Sequence, residues 1–214
     1  MSADVSNLSA ELSVERCTAS GLVFVISGPS GVGKDTIKQR LKDRGFPIGY
    51  CVTATTRPAR PNEIHGVHYF FVSEAEFDAM LAAGELIEHA VNHGKRYGVP
   101  FKGLRAGLQR GPDVLITPDV QGAAALRAKY PGVISIFLAP PSLDDLKPRL
   151  ANRNSETPAE LAIRLETAAR EMERVPEFDY LVINERDRVD QTVDTVQAIV
   201  TAERHRIKRR IVTL

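Results

Sequence analysis

LVFVISGPSGVGKDT, residues 22–36, is the stretch from which the fold is read. Leu22 to Ile26 is an unbroken apolar run with three β-branched residues, the composition of a strand covered on both faces, as in the middle of a parallel sheet. Ser27 ends the run. Gly28, Gly31 and Gly33 then permit backbone conformations that a Cβ resists, so successive N–H groups can turn inward and form a concave anion site. Lys34 adds a positive charge, and from Thr36 the residues IKQRLKDR read as a helix. The positive N-terminus of that helix lies under the amides, which makes the whole stretch a phosphate cradle.

From Gly28 to Lys34 the spacing is G-x-x-x-x-G-K, and its place between a strand and a helix is the context the P-loop signature requires. The cradle therefore comprises Gly28, Pro29, Ser30, Gly31, Val32, Gly33, Lys34, Asp35 and Thr36. One position departs from the signature. Where a Ser or Thr hydroxyl reaches Mg²⁺, this chain has Asp35. A carboxylate beside a polyphosphate is repulsive without a metal between them, so Asp35 is expected to act on Mg²⁺, directly or through a water. It also complements the dipole of the helix it opens.

With 214 residues, 43% hydrophobic and 26% charged, the chain can bury a substantial core and form one compact unit with inserted subdomains. A net charge of +1 gives no bulk attraction to polyanions, so recognition of negative groups falls to local clusters. Cys17 and Cys51 have no metal-like spacing and point to a reducing compartment without a structural disulfide. Residues 1–20 are polar, with Asp4, Glu11 and Glu15 against a single Arg16. They have the character of a loose extension rather than a targeting segment. No later segment holds the roughly eighteen consecutive apolar residues of a membrane span. A cytoplasmic protein is expected. The pairs His65 with His68 and His89 with His93 lack the supporting ligand spacing of a zinc site.

Downstream, Tyr50 to Thr55 reads as a short strand. In TTRPARP, Arg57 and Arg60 each precede a proline, which favours extended or polyproline backbone. A three-residue repeat in that conformation points both guanidiniums to one side, an arrangement suited to a phosphate monoester. Val67 to Val72 reads as a strand, Ser73 with Glu76 as a capping box opening a helix to Ala83, and Glu85 to Val91 with Arg96 to Pro100 as a hairpin. Glu88 lies among apolar neighbours there; such a carboxylate is a partly exposed strand residue unless a ligand supplies its donors.

Asp113 to Thr117 and Val133 to Ala139 read as strands flanking a helix over Gln121 to Tyr130, an alternation that predicts βαβ units and a parallel sheet. Ser142 with Asp145 forms a cap. Leu143, Leu146 and Leu150 form one helical stripe, with Pro148 as the point where it would kink and Arg149 and Arg153 sharing a face. Thr157, Pro158 and Glu160 open the helix that carries Arg164. Phe178 to Asn184 is the last strand, and a helix over Val189 to Ile211 ends in HRIKRR, cations suited to its C-terminus rather than to a nucleic acid.

GPSGVGK, TTRPARP, IEHA with YG downstream and D-VQGA, in that order, resemble guanylate kinase, from Gly21 to the last helix. The resemblance implies an α/β P-loop kinase fold: a parallel-sheet core over 21–52, 101–141 and 166–214 with helices on both faces, a mixed α/β GMP-binding subdomain over 53–100 and a helical lid over 142–165. It implies ATP-dependent phosphorylation of GMP, and of dGMP, with Mg²⁺, in purine nucleotide metabolism. By the same resemblance Arg57, Arg60, Tyr69 and Tyr97 hold the GMP phosphate, Thr53, Glu88 and Asp119 read guanine, Arg149, Arg153 and Arg164 close on ATP, and Asn184 lies near adenine. Guanine offers N1–H and a 2-amino donor that one carboxylate accepts in parallel, which adenine cannot. Thr53 replaces the family's usual serine, Val99 a hydroxyl residue that contacts GMP, and Thr117 the first carboxylate of a D-x-D. A ribose 1,5-bisphosphate kinase shares GKD and a YGV-like segment, and guanylate-kinase-like domains also serve as binding modules without catalysis. ATP and GMP are the expected partners, with monomer and dimer both open.

Overall fold

The protein is described by a computed structural model over residues 21–61, 63–92, 94–151, 158–210 and 212. The N-terminal extension with Cys17, and His93, Arg153 and Thr157, lie outside these residues. Strand β1 (Val23–Ser27) occupies the centre of a five-stranded sheet between β7 (Val114–Ile116) and β8 (Ile134–Ala139), with β2 (Gly49–Tyr50) and β9 (Tyr180–Ile183) outside them. Every pairing in it is parallel, as the doubly covered run of Leu22 to Ile26 predicts. Leu22, Phe24 and Ile26 enter one core with Ile37 and Leu41 of α1 (Lys34–Asp43) and Val193 and Val196 of α7 (Val189–Arg204). Val23 and Val25 enter a second core with Leu104 of α3 (Phe101–Arg110) and Ala123 and Leu126 of α4 (Val120–Lys129). Each fully buried side chain of this kind contributes about 1.5–3 kcal/mol. Helices therefore cover both faces, and the C-terminal end of β1 is fixed where the cradle begins.

A second, mixed sheet of four strands has the order β4 (Tyr69–Phe71), β3 (Thr53–Thr55), β6 (Lys95–Pro100), β5 (Leu86–Asn92). Helix α2 (Glu74–Ala82) packs Phe77 against Ala54 and Leu86 on it. The capping box predicted from Ser73 and Glu76 is present in both directions, a device worth about 1 kcal/mol. No helix among the described residues is long and apolar enough to cross a membrane.

The structure corrects several element boundaries. Tyr50 to Thr55 is two strands in two sheets. Cys51 still donates to the Leu115 carbonyl of the parallel sheet, after which the chain leaves for the second sheet at Thr53. The strand read over Val67 to Val72 is only β4, because Val67 and His68 both donate back to the Ile64 carbonyl in a turn. Leu143 is exposed while Leu146 and Leu150 are buried, since α5 (Leu146–Ala151) begins after the Ser142–Asp145 turn. Pro148 thus falls in the first turn of α5, where a missing N–H costs least. The last helix ends at Arg204, not Ile211. Its cations leave the axis for separate acceptors: Arg204 pairs with Asp113 at 2.6 Å, Arg210 reaches Asp179 at 2.7 Å, and Val212 is buried in the second core.

Candidate active site

The cradle is built almost entirely of backbone. At Gly28, φ is +145° and a Cβ would stand 2.1 Å from the Leu138 carbonyl oxygen, so only glycine passes over β8 there. Gly33, with φ of +106°, is the N-cap of α1, and a Cβ on it would meet the side-chain amide of Asn184 at 2.6 Å. Asn184 is buried; it donates to the Val32 carbonyl at 2.7 Å and accepts from the Thr192 hydroxyl at 3.0 Å. It does not line the cleft, and nor does Pro29, whose carbonyl accepts from Val32 N–H and from Lys34. Lys34 lies over the loop, its Nζ 2.5 Å from the Gly28 carbonyl. Arg149 donates to the carbonyls of Val32 (3.3 Å) and Asn184 (3.1 Å). Arg164, on α6 (Pro158–Met172), donates to Ser30 Oγ at 2.8 Å. The two arginines are thus brought to the cradle from separate helices.

A cleft of about 990 Å³ runs from this loop to the second sheet, and Thr53, Arg57, Arg60, Tyr69, Glu88, Tyr97 and Asp119 all line it, as do Asp35 and Thr36. Strand alternation explains the grouping: Glu88, Ala90 and Asn92 of β5, and Lys95 and Tyr97 of β6, present one face to the cleft. Thr53 and Tyr69 are register partners across β3 and β4. Arg57 and Arg60 reach one side as their spacing predicts, but both face Glu63. Arg57 grips its two carboxylate oxygens at 2.9 Å each, and Arg60 approaches to 3.9 Å. The Arg57 guanidinium also lies 5.5 Å from the ring of Tyr69, which meets Tyr97 edge-on at 6.4 Å. Burial raises the Tyr69 hydroxyl above its ordinary value, so it stays a neutral donor. Glu63 was not singled out by sequence; its position six residues beyond Arg57 in a loop carries no periodic signal.

At the far end, Glu88 is only 8% exposed, which replaces the expectation of a partly exposed strand residue. Its Oε2 is buried and has no partner among the described residues. Burial, and then the charge of Asp119, push its carboxyl up to about 8. Asp119 caps α4, its Oδ1 accepting from the Gly122 N–H at 2.8 Å, while Oδ2 is buried and unpartnered. Val99 is fully buried in the second core and away from the cleft, whereas Thr117 lines it. Glu171 is a further lining residue that sequence reading missed. It is 5% exposed with an unpartnered Oε2, and burial raises its carboxyl although Lys34 opposes the shift. The signal was available: position 171 continues the apolar stripe of Leu161, Leu165 and Ala168, where a charge is out of place.

A family model described as guanylate kinase matches residues 20–203. The chain is 41% identical over 190 residues to the guanylate kinase of Desulfitobacterium hafniense strain Y51, covering 89% of this chain and 94% of that one. It is also 41% identical over 188 residues to that of Syntrophomonas wolfei, covering 88% and 95% respectively. Among solved structures, guanylate kinase from Anaplasma phagocytophilum matches with a TM-score of 0.73 and 34% identity, over 88% of this chain and 89% of the other.

Proposed function

The chain belongs to the guanylate kinase family and phosphorylates GMP with ATP as donor; we propose that the transfer takes place in the cleft between Lys34 and Glu88, with the following division of roles. The amides of Ser30 to Thr36, the α1 N-terminus and Lys34 hold the donor's β and γ phosphates. Arg57 and Arg60 take the GMP phosphate, with Tyr69 and Tyr97 donating to it, and Glu63 holds the guanidiniums ready until then. Thr53, Glu88 and Asp119 read guanine. A GMP phosphate oxygen attacks the γ-phosphorus in line, the bond to the β–γ bridging oxygen breaks, and ADP and GDP result. Positioning and neutralisation carry such a transfer, so no strong base is assigned. Arg149 and Arg164 swing from the cradle onto the moving charge as the lid over 142–165 closes and water is excluded, and Arg153 of the same segment is assigned to that charge with them.

The family takes ATP together with a divalent ion, and the ion is Mg²⁺ in this proposal. The residues present fit it. Asp35 lines the cleft with a carboxylate 61% exposed, its nearest cation Lys38 being 3.4 Å away. One or two carboxylates, water and substrate phosphates are the ligands such an ion prefers. Its contribution when bound is to neutralise phosphate charge.

The observation that carries this reading is one cleft with a nest of backbone amides at one end and two buried carboxylate oxygens without donors among the described residues at the other. A coupled assay with ATP and GMP, AMP or ribose 1,5-bisphosphate tests it. ADP release with GMP far above the other two is expected; release with ribose 1,5-bisphosphate alone would remove the guanine-reading assignment.

A further inference from the structure

Gly122 is the third residue of α4, and nothing about its backbone calls for glycine. Its φ is helical, outside the left-handed region that other glycines of this chain occupy. Inside a helix, alanine is favoured over glycine. Space supplies the reason that conformation does not. The three atoms nearest to a Cβ built on Gly122 all belong to Glu88: Oε2 at 2.8 Å, Oε1 at 3.0 Å and Cδ at 3.1 Å. The Glu88 carboxyl is therefore seated in the notch left by the missing methyl. The same residue reaches the other buried carboxylate, since its N–H holds Oδ1 of Asp119 at 2.8 Å. One oxygen of each acid, Glu88 Oε2 and Asp119 Oδ2, is left without a donor among the described residues.

We infer that Gly122 is a positioning residue for base recognition: it sets the two carboxylates in register with each other, one through its amide and one through its absent side chain. This rests on Glu88 and Asp119 as the readers of guanine, and it assigns their spacing to a residue that does not itself line the cleft. A methyl group here does not threaten the fold. What it meets is the far end of a flexible side chain rather than backbone, so Glu88 can rotate aside cheaply, out of alignment with the base. Misplacement on the ångström scale costs binding sites of this kind about ten- to a hundredfold.

The test is a double-mutant cycle of Gly122→Ala with Glu88→Ala, read as kcat/KM for GMP and for AMP, KM for ATP, and melting temperature. Expected for Gly122→Ala is a fall of about tenfold or more in kcat/KM for GMP, chiefly in KM. ATP KM should stay within about twofold, with melting unchanged or a few degrees higher. In the Glu88→Ala background, where the notch faces nothing, the same substitution should have no further effect. If Glu88→Ala weakens GMP use but Gly122→Ala does not, the inference is overturned and the base readers stand. An equal loss in both backgrounds overturns it too, because Gly122 would then act through something other than Glu88. If Glu88→Ala itself leaves the ratio of GMP to AMP unaltered, the reading of Glu88 fails, and this inference with it.

Discussion

The two ends of the cleft are built on opposite plans. The phosphate end is a single run of nine residues, Gly28 to Thr36, whose polar groups are engaged before any nucleotide arrives: Lys34 on the Gly28 carbonyl, Arg149 on Val32, Arg164 on Ser30. The end proposed to read the base draws Thr53, Glu88 and Asp119 from β3, β5 and the head of α4, and leaves buried acceptor oxygens unmatched among the described residues. A cradle of backbone dipoles is preorganised by covalent connectivity and serves any triphosphate. A pair of desolvated carboxylates is costly when empty and is relieved only by a ligand with the right donors. The proposed roles put affinity without selectivity at one end and selectivity without generality at the other.

Removing the lysine of the cradle should have the largest effect. Lys34→Ala is expected to lower kcat by about 10³-fold or more while the melting temperature stays within a few degrees, because no core side chain is lost. Steady-state rates with near-native thermal unfolding check this. A loss confined to the KM of GMP would show that the two ends are not separated as described.

At the selective end, Glu88→Gln replaces one acceptor oxygen by a donor and should cost GMP about a hundredfold in kcat/KM while changing ATP KM little. The same residue makes the contrast depend on pH. Its carboxyl, raised from 4.5 to about 8, holds a proton in the empty cleft, and the proposed contact with guanine requires it ionised. GMP affinity should therefore strengthen with pH by about tenfold per unit below 8 and level off above. Binding at neutral pH should release a proton, seen as a buffer-dependent heat. The native state binds a proton here that the unfolded chain gives up, so the group's contribution to ligand-free stability falls as pH rises from 4.5 towards 8. Glu88→Gln should abolish both slopes; a pH-independent GMP affinity would place the raised carboxyl outside recognition.

The same division governs what could be read from sequence. The backbone course of the cradle was legible because strand, glycines, lysine and helix are consecutive, though Pro29 does not line the cleft, and β1 follows from Leu22 to Ile26 alone. The base end was reached by resemblance, since neither the apolar neighbours of Glu88 nor the segment around Asp119 says that the two meet. Long-range packing decides that, through α4 against β5. Glu63 and Gly122 escaped for the same reason: each matters through a residue distant in sequence or in an irregular loop, whereas Glu171 carries a local signal as a charge on the apolar stripe of α6. The hand-off at Cys51 between two sheets was hidden because YCVTAT is uniformly strand-like in composition.

The smallest expected effect lies within the general end and tests whether it is wholly backbone. Asp35 stands at the first turn of α1 with its carboxylate turned to solvent and 3.4 Å from Lys38. As a dipole complement alone it contributes a few tenths of a kcal/mol to about 1 kcal/mol of helix stability and nothing to nucleotide binding. As a ligand to Mg²⁺, directly or through water, it lowers the ion concentration at which the donor is productively bound. Asp35→Asn keeps shape and hydrogen bonding but removes the charge, and should raise the Mg²⁺ needed for half-maximal rate by about three- to tenfold with saturated kcat nearly unchanged. Superimposable Mg²⁺ titrations, with a small drop in melting temperature, would assign Asp35 to the helix and leave the cradle a device of amides and one lysine.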